Sequence, residues 1–395
     1  MRLGAWLPFA RAAEFAGLFT GAAVSEATAR RLTEAAGAAY EAVQNAAVAH
    51  LERACPPPPA GPAVQQLSVD GARVPLRGKS EWAEVKTLAA GAVVQDPPTA
   101  GGAPAAGAPG AAHAAELSYF SRLADHATFS RLATVETHRR GTETAGTVCG
   151  VADGAEWCQQ FFDAHRPDAV RILDFSHAAG YLAQAAQATF GEGTAAAATW
   201  YEAQRHALRH DPTPEGVLAA VRAVRDEVAT RPPGAAAAGA LAVVSKSLAY
   251  LERRTDQLRY ATFERQGYPI GSGIVESANK TVVEARLKGA GMHWDRRHVN
   301  PMLALRGAAC SDRWTEAWPQ TVHRLRAQRR RPPRPRLPRP ARVSATPQVP
   351  TPHPTPPPRE PLSYGPGRPA ANHPWKPAHF LLPSRRSRLA SDAKL

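Results

Sequence analysis

Hydrophobic and polar residues change their spacing twice in the first third of the chain. Residues 5–54 are rich in Ala with apolar positions at helical spacing, and the run CPPPPAGP at 55–62 then breaks the helix. From Ala63, β-branched residues and partial alternation in AVQQLSVDGARVPL and EWAEVKTLAAGAVV predict two strands of a hairpin, joined by RGKS. The pattern therefore predicts a helical domain over residues 1–56 and a sheet that begins at residue 63.

The middle of the chain alternates between short apolar runs and helical segments. After the low-complexity loop DPPTAGGAPAAGAPGAA, ELSYFSRL predicts a third strand and ATFSRLATVETHRRG a helix. The runs TVCGVAD and AVRILDF end at or just past Asp153 and Asp174, and EWCQQFFDAHRP between them is one helix long. Two apolar strands joined by a helix predict a parallel unit that is covered on both faces. Together with the hairpin, the third strand and the helix after it, this unit forms the first part of the predicted core, residues 63–177. Residues 178–266 predict a helical insertion.

The segment GYPIGSGIVESANK at 267–280 predicts a tight approach to a late helix within residues 267–320. Gly271 and Gly273 permit unusual backbone angles or close contacts, and Ser272 is a suitable N-cap. Glu276 lies on the flank of the apolar stripe, where it either complements the helix dipole or binds a metal ion. The predicted stripe consists of Val275, Ala278, Val282 and Ala285.

This order of elements is that of an RNase H-like α/β fold, in which the fourth strand lies beside the first at about 4.8 Å. Asp70 on the first strand and Asp153 after the fourth are then neighbours, and Glu276 supplies a third carboxylate. Such a set can hold two Mg²⁺ ions roughly 3.5 to 4 Å apart, the arrangement used for phosphodiester displacement. Asp174 is the alternative to Asp153, but its strand lies one spacing further from Asp70.

Charge and cysteine content limit the classes of function. The formal net charge is +14, and residues 321–395 alone contain 16 Lys and Arg against 2 acids, with 18 of the 37 Pro. We expect a disordered basic tail there, able to bind phosphates without sequence preference. The four Cys lack CxxC pairing, which indicates neither a disulfide framework nor a zinc site. Without a long apolar run or a signal peptide, the sequence predicts a cytoplasmic protein with no membrane partner.

Two regions carry candidate DNA contacts. In GAAVSEATARRLTEAAG, a turn, Ser25 as N-cap and a helix with Arg30 and Arg31 are typical of a helix-turn-helix, although ordinary helical hairpins share this pattern. The late helix and the residues after it offer phosphate contacts or a solvated face, and His293 and Trp294 either stack on a base or pack in the core. The late candidates are Asn279, Lys280, Arg286, Lys288, His293 and Trp294.

Several of these segments together resemble a known family. SVDGARVPL, EWAEVK, VCGVADGAEW, RILDFSHAAGYL, GYPIGSGIVESANKTVVEARLKGAGMHW and NPMLALRGAACSDRW are similar to bacterial insertion-sequence transposases of the D-D-E type, ISKra group, over about residues 5–320. The resemblance implies an RNase H-like DNA transposase with a helical insertion and Mg²⁺ or Mn²⁺ as cofactor. The DFSH segment resembles a D-x-x-H motif of related enzymes, which implies that His177 lies near the scissile phosphate or orients a ligand; a structural histidine is the alternative.

The expected activity is metal-dependent cleavage at the ends of a DNA element, followed by attack of the freed 3′-OH on target DNA. Pairing of two ends implies at least a homodimer, in the nucleoid of a bacterial cytoplasm. Members of the group usually carry a longer N-terminal region with Cys pairs, whereas this chain opens in a helical segment. A truncated, non-catalytic DNA-binding protein, such as a transposition repressor or a decayed copy, is therefore the alternative, and a junction resolvase or nuclease of the same fold is a further one.

Overall fold

Five strands form one mixed sheet in the computed structural model, which describes residues 1–78, 81–95 and 112–330. The order across the sheet is β3-β2-β1-β4-β5, with β1 antiparallel to β2, β2 antiparallel to β3, and β4 parallel to both β1 and β5. The predicted α/β class, the hairpin and the position of the fourth strand beside the first are confirmed. The strands are β1 (Val64–Pro75), β2 (Trp82–Gln95), β3 (Ala112–Arg122), β4 (Thr147–Ala152) and β5 (Val170–Leu173).

Fourteen α-helices lie in the part of the chain that the structure describes. Residues 178–266 are mostly helical, as predicted, since α6 to α10 follow β5 directly. The helices are α1 (Arg2–Trp6), α2 (Phe9–Thr20), α3 (Glu26–Ala54), α4 (His126–Arg139), α5 (Glu156–His165), α6 (Phe175–Phe190), α7 (Ala195–His210), α8 (Glu215–Ala229), α9 (Ala235–Glu252), α10 (Tyr260–Arg265), α11 (Gly273–Ala278), α12 (Ala285–Leu287), α13 (Arg296–Cys310) and α14 (Trp314–Arg330). A 3₁₀ turn spans Thr255–Leu258 and a π-helical segment spans Asn279–Glu284.

The predicted tail begins later than residue 321. Helix α14 continues to Arg330, so the first ten residues assigned to a disordered tail are helical. Thr321 is buried in this helix, and its hydroxyl donates to the carbonyl of Ala317. The remainder of the predicted tail, most of the loop after β2 and part of the RGKS turn lie outside the described residues.

Helices cover both faces of the sheet, as the apolar parallel strands predict. On one face, α4 and α5 pack Phe129 and Phe161 against β1 and β4. On the other, the insertion helices pack around β4 and β5 in a cluster that includes Leu182 and Val221. Helix α11 and the π-helical segment pack on β1 and β2. Three groups of helices therefore surround β1 and β4: α4 with α5, the helices after β5, and α11 with the π-helical segment.

The N-terminal helices belong to the same compact unit as the sheet. Ser25 caps α3 as predicted, because its hydroxyl accepts from the Thr28 N–H at 3.2 Å. Helix α3 packs along α13 and α14, and Gly37 permits this close approach, since a Cβ there would collide with the carbonyl of Pro301. The helix-turn-helix interpretation stays a prediction.

One helix among the described residues, α9, has the length and hydropathy needed to cross a membrane. Its Val244, Leu248 and Leu251 are buried in the cluster formed by the insertion helices. These side chains contribute to the core around β4 and β5.

Candidate active site

Asp70 and Asp153 lie at corresponding positions on adjacent parallel strands. The β1–β4 ladder pairs Val64 with Thr147 and Leu67 with Gly150. The paired register ends there, and Asp70 and Asp153 each lie three residues beyond its last pair, with Asp153 immediately after β4. Strand order and register thus bring together two carboxylates that are 83 residues apart in the sequence.

Asp70 is half-buried, and each of its carboxylate oxygens accepts one hydrogen bond. Its Oδ1 accepts from the Gly71 N–H at 2.7 Å, and its Oδ2 accepts from Asn279 Nδ2 at 2.8 Å. Burial raises the pKa of the Asp70 carboxyl, the charges of Asp153 and Glu276 raise it further, and the two hydrogen bonds oppose this without cancelling it. Three carboxylates therefore share one electrostatic neighbourhood, and they are the three that sequence analysis selected.

Asp153 is held at one carboxylate oxygen. Its Oδ1 accepts from the Ala155 N–H at 2.9 Å and lies 3.5 Å from the thiol of Cys158. Burial and the charge of Asp153 raise the pKa of that thiol, which keeps it protonated and able to donate. Within the described residues no donor contacts Oδ2 of Asp153, so this oxygen is available for a ligand.

The helical insertion fixes the backbone on either side of this carboxylate. The Tyr250 hydroxyl donates to the carbonyl of Asp153, and the Arg254 guanidinium donates to the carbonyl of Gly154. Gly154 has φ 79°, and a Cβ there would collide with both Arg254 and Tyr250. Sequence analysis missed Tyr250 and Arg254. Only the Gly after Asp153 hinted at a close approach, and nothing in the sequence indicated what approaches.

Glu276 lies in the single α-helical turn before the π-helical segment and is exposed. Val275, Ala278 and Val282 are buried as predicted, but Ala285 is exposed, and the prediction of a regular α-helical stripe through it is wrong. The wider π turn changes the phase, so Val283 and Leu287 are buried instead. They are joined there by Asn279, the first residue of the π-helical segment and the donor to Asp70. π-helical turns within helices are frequent at functional sites.

The approach to Glu276 is fixed by contacts with β1 and with the start of α6. Gln66 on β1 donates to the carbonyl of Gly271 at 2.9 Å, and the Phe175 N–H donates to Ile270 at 3.0 Å. Ser272 occupies the cap position without capping, since its N–H and hydroxyl donate to Asp174 at 2.7 and 3.0 Å. This corrects its predicted role.

The glycines of this approach also differ from expectation. Gly271 and Gly273 have ordinary backbone angles, and a Cβ at Gly273 would meet no atom within 4 Å. The residue that requires glycine is Gly267, with φ 74° and with the side chain of Gln95 where a Cβ would lie. The turn into the segment, rather than the helix start, carries the conformational constraint.

Asp174 has a structural position. It is 4% exposed, its Oδ1 accepts from the His177 N–H at 2.7 Å and caps α6, and its Oδ2 accepts both donors of Ser272. The charge of Asp153, by contrast, is among the causes that raise the pKa of Asp70. The geometry therefore favours Asp153 over Asp174 as the second carboxylate of the site.

His177 is exposed at the edge of this region. Its ring centroid lies 5.5 Å from that of Tyr181 and 5.8 Å from that of Tyr250, and the two tyrosines stack at 4.0 Å. Since Tyr250 also contacts Asp153, His177 is two contacts from the carboxylates. Its assignment to the scissile phosphate stays a prediction.

No family model and no curated protein matches the chain. The chemistry of the site is therefore inferred from its own residues.

The donor set fits a hard divalent cation. All three side chains offer carboxylate oxygens, the ligands preferred by Mg²⁺, and the amide oxygen of Asn279 is buried beside Asp70 without a hydrogen-bond partner. Among the described residues, no group of three or more His, Cys, Asp or Glu side chains already has the arrangement of a metal site. Repulsion among the three negative carboxylates keeps them from converging on one point, and a bound cation would replace that repulsion by attraction.

The predicted DNA contacts fall into two groups. Arg30, Arg31, Lys280, Lys288 and His293 are exposed, so their side chains are accessible, although Lys288 pairs with Glu284 at 2.7 Å. Arg30 and His293 line one cavity, whereas Arg31 does not. Their contact with DNA stays a prediction.

The other group is buried. Trp294 is 7% exposed, and its Nε1 donates to the carbonyl of Leu287, so the prediction that it stacks on a base is wrong and the core interpretation is confirmed. Arg286 is 2% exposed beneath Phe9 and Trp294, so it does not lie on an accessible helix face. Asn279 is also buried, and its partner is Asp70 rather than a phosphate.

Proposed function

We propose that this protein is a DNA transposase of the D-D-E type with an RNase H-like catalytic core. The observation that carries the proposal is the set formed by Asp70 on β1 and Asp153 just after β4, each three residues beyond the last β1–β4 pair, with the charges of Asp153 and Glu276 both raising the pKa of Asp70. The strand order β3-β2-β1-β4-β5, with a helical insertion before the helix that bears Glu276, supports the same assignment.

The substrate is the DNA of the element's ends and of the target, and the cofactor is Mg²⁺ or Mn²⁺, held by Asp70, Asp153 and Glu276. When bound, such a cation stabilises the charge that develops on a phosphodiester and lowers the pKa of coordinated water. The reaction has two parts, cleavage that frees a 3′-OH and attack of that 3′-OH on target DNA. A homodimer brings two ends together in the bacterial nucleoid.

The chain's own residues position the carboxylates. Asn279 holds Oδ2 of Asp70, while the Ala155 N–H and the Cys158 thiol hold Oδ1 of Asp153 and leave Oδ2 free. Tyr250 anchors the backbone after β4, so the carboxylate cannot move away from β1. Fixed orientation of this kind lowers the cost of bringing charged groups together for reaction.

A strand-transfer assay tests the proposal. The full chain is incubated with Mn²⁺ and labelled DNA that carries the sequences flanking its gene, and joined products are measured. We expect wild type and Glu284→Gln to join DNA and Glu276→Gln to lose the activity; both changes remove one acid from the same helical segment, but Glu284 pairs with Lys288 instead of acting on Asp70.

Two results would contradict the proposal. Equal joining by both variants would remove Glu276 from the chemistry. DNA binding by wild type without cleavage or joining under any divalent cation would favour the non-catalytic DNA-binding protein instead.

A further inference from the structure

A cavity of about 520 Å³ lies between the N-terminal helices and the residues that follow α12. None of the three carboxylates of the candidate active site lines it. Basic and aromatic side chains dominate its wall, including Phe9, Arg30, Arg77, Arg286, His293 and Arg297. The volume is in the range of pockets that hold small organic ligands or parts of larger ones.

The inner wall holds a buried cation with incomplete hydrogen bonding. Arg286 is 2% exposed, its guanidinium carbon lies 4.5 Å from the ring centroid of Phe9 and 5.1 Å from that of Trp294, and its Nε donates to the carbonyl of Gly4 at 3.1 Å. Its Nη2 has no partner. Leaving a buried guanidinium hydrogen bond unmade is costly, and a phosphate offers the acceptors that this fork-shaped group binds best.

The remaining charges of the wall leave a positive excess. Glu34 lies 3.6 Å from His298, and Asp295 pairs with Arg297 at 3.1 Å, so these two acids have local partners. With the histidines neutral, the cavity within the described residues is lined by four arginines, Arg30, Arg77, Arg286 and Arg297, against three acids, Glu26, Glu34 and Asp295, an excess of one positive charge. Burial and Arg306 lower the pKa of Arg286 to about 10, so it is charged at neutral pH.

We propose that this cavity binds a backbone phosphate of DNA, an inference that rests on the proposed function. Arg286 follows Glu276 by ten residues along one continuous helical segment, which corresponds to a rise of about 15 Å along the axis of an α-helix. Nη2 is shielded from solvent, so the phosphate contacts it after a local shift of the lining side chains.

Salt-dependent DNA binding tests the pocket without requiring catalysis. Binding of a labelled duplex to the full chain is measured in EDTA at several salt concentrations, for wild type, Arg30→Ala, Arg77→Ala, Arg286→Met and Arg53→Ala. Arg53 is a matched control because it is exposed on the same helix as Arg30 but does not line the cavity. We expect each cavity variant to reduce the magnitude of the slope of log K against log salt by about one, with no such change for the control.

The exposed Arg30 and Arg77 keep the test decisive if Arg286→Met does not fold. Slopes for Arg30→Ala and Arg77→Ala equal to that of Arg53→Ala would overturn the proposal. A second arm adds inorganic phosphate without DNA: if it raises the unfolding temperature of wild type but not of the cavity variants, while DNA slopes stay unchanged, the pocket holds a small anion and the DNA assignment falls.

Failure of the pocket is distinct from failure of the proposed function. Joined DNA products together with unchanged salt slopes would reject only the pocket. Altered slopes with no cleavage under any divalent cation would leave the pocket in place and reject the transposase assignment.

Discussion

Replacement of Asp174 by Ala should destabilise the protein severely, even though this residue ends a strand in the same way as Asp153. Its carboxylate joins the start of α6 to the approach of the helix that bears Glu276, through one hydrogen bond to the His177 N–H and two to Ser272. With 4% exposure, water cannot replace the lost acceptor.

The magnitude follows from those three bonds. Loss of the N-cap costs about 1 kcal/mol. The Ser272 N–H, left buried and unpaired, costs about 1–3 kcal/mol more, whereas the hydroxyl can rotate toward another acceptor. We therefore expect a loss of about 3 kcal/mol in the free energy of unfolding, which lowers the urea midpoint by about 1 M.

Urea unfolding in EDTA at neutral pH measures this effect without a contribution from cations. Asp153→Asn is the control, because the amide retains an acceptor for the Ala155 N–H and removes a charge that repels Asp70. Its midpoint should equal or exceed that of wild type. A midpoint for Asp174→Ala equal to that of wild type would refute the structural role and return Asp174 to the set of candidate metal ligands.

Three further perturbations test the surroundings of the site. Because the pKa of Asp70 is raised in the folded state, the folded chain keeps a proton on this carboxyl above pH 3.8, where the unfolded chain has lost it. The free energy of unfolding in EDTA therefore falls as pH rises through the folded pKa. Asp70→Asn should remove this fall, and an unchanged pH profile would contradict the prediction. Burial lowers the pKa of His165 to about 4, so the unfolded chain binds more protons between pH 6.5 and about 4, and stability should drop by up to about 3 kcal/mol on acidification across that window. His165→Asn should flatten that drop, and an equally steep urea profile would count against it. Gly154→Ala should lower the free energy of unfolding by about 1–3 kcal/mol and slow DNA cleavage, because Gly154 has a left-handed backbone. Gly239→Ala, in open space on α9, should not destabilise the protein. Equal urea midpoints for the two variants would show that the left-handed backbone at Gly154 is unimportant.

The sequence was sufficient to predict the framework of the site because each strand has a local signature. The period of two in the hairpin and the short apolar runs before Asp153 and Asp174 identified the strands, and their order placed Asp70 beside Asp153. The order of elements alone did not decide between Asp153 and Asp174 as the second carboxylate of the site, since both residues follow a strand in the same local pattern. Only the contacts of Asp174 with Ser272, 98 residues away, distinguish a structural carboxylate from a free one.

Other features depend on contacts that no local pattern encodes. Tyr250 on α9 and Arg254 just after this helix reach the backbone after β4 from about 100 residues later in the chain, and their sequence context is that of any Ala-rich helix and its end. The π-helical segment was missed because the stripe through Val275 and Val282 fits an α-helix equally well until Ala285. Arg286 was assigned to an accessible face for the same reason, since one extra residue in a turn changes which side is buried.

The central claim is that Asp70, Asp153 and Glu276 act as one divalent-cation site. The most direct measurement is a titration of the purified full chain with Mn²⁺, followed by electron paramagnetic resonance of the free ion. The account predicts binding by wild type and by Glu284→Gln, and its loss in Asp70→Asn, Asp153→Asn and Glu276→Gln. Absence of binding by wild type, or equal binding by all five proteins, would contradict it.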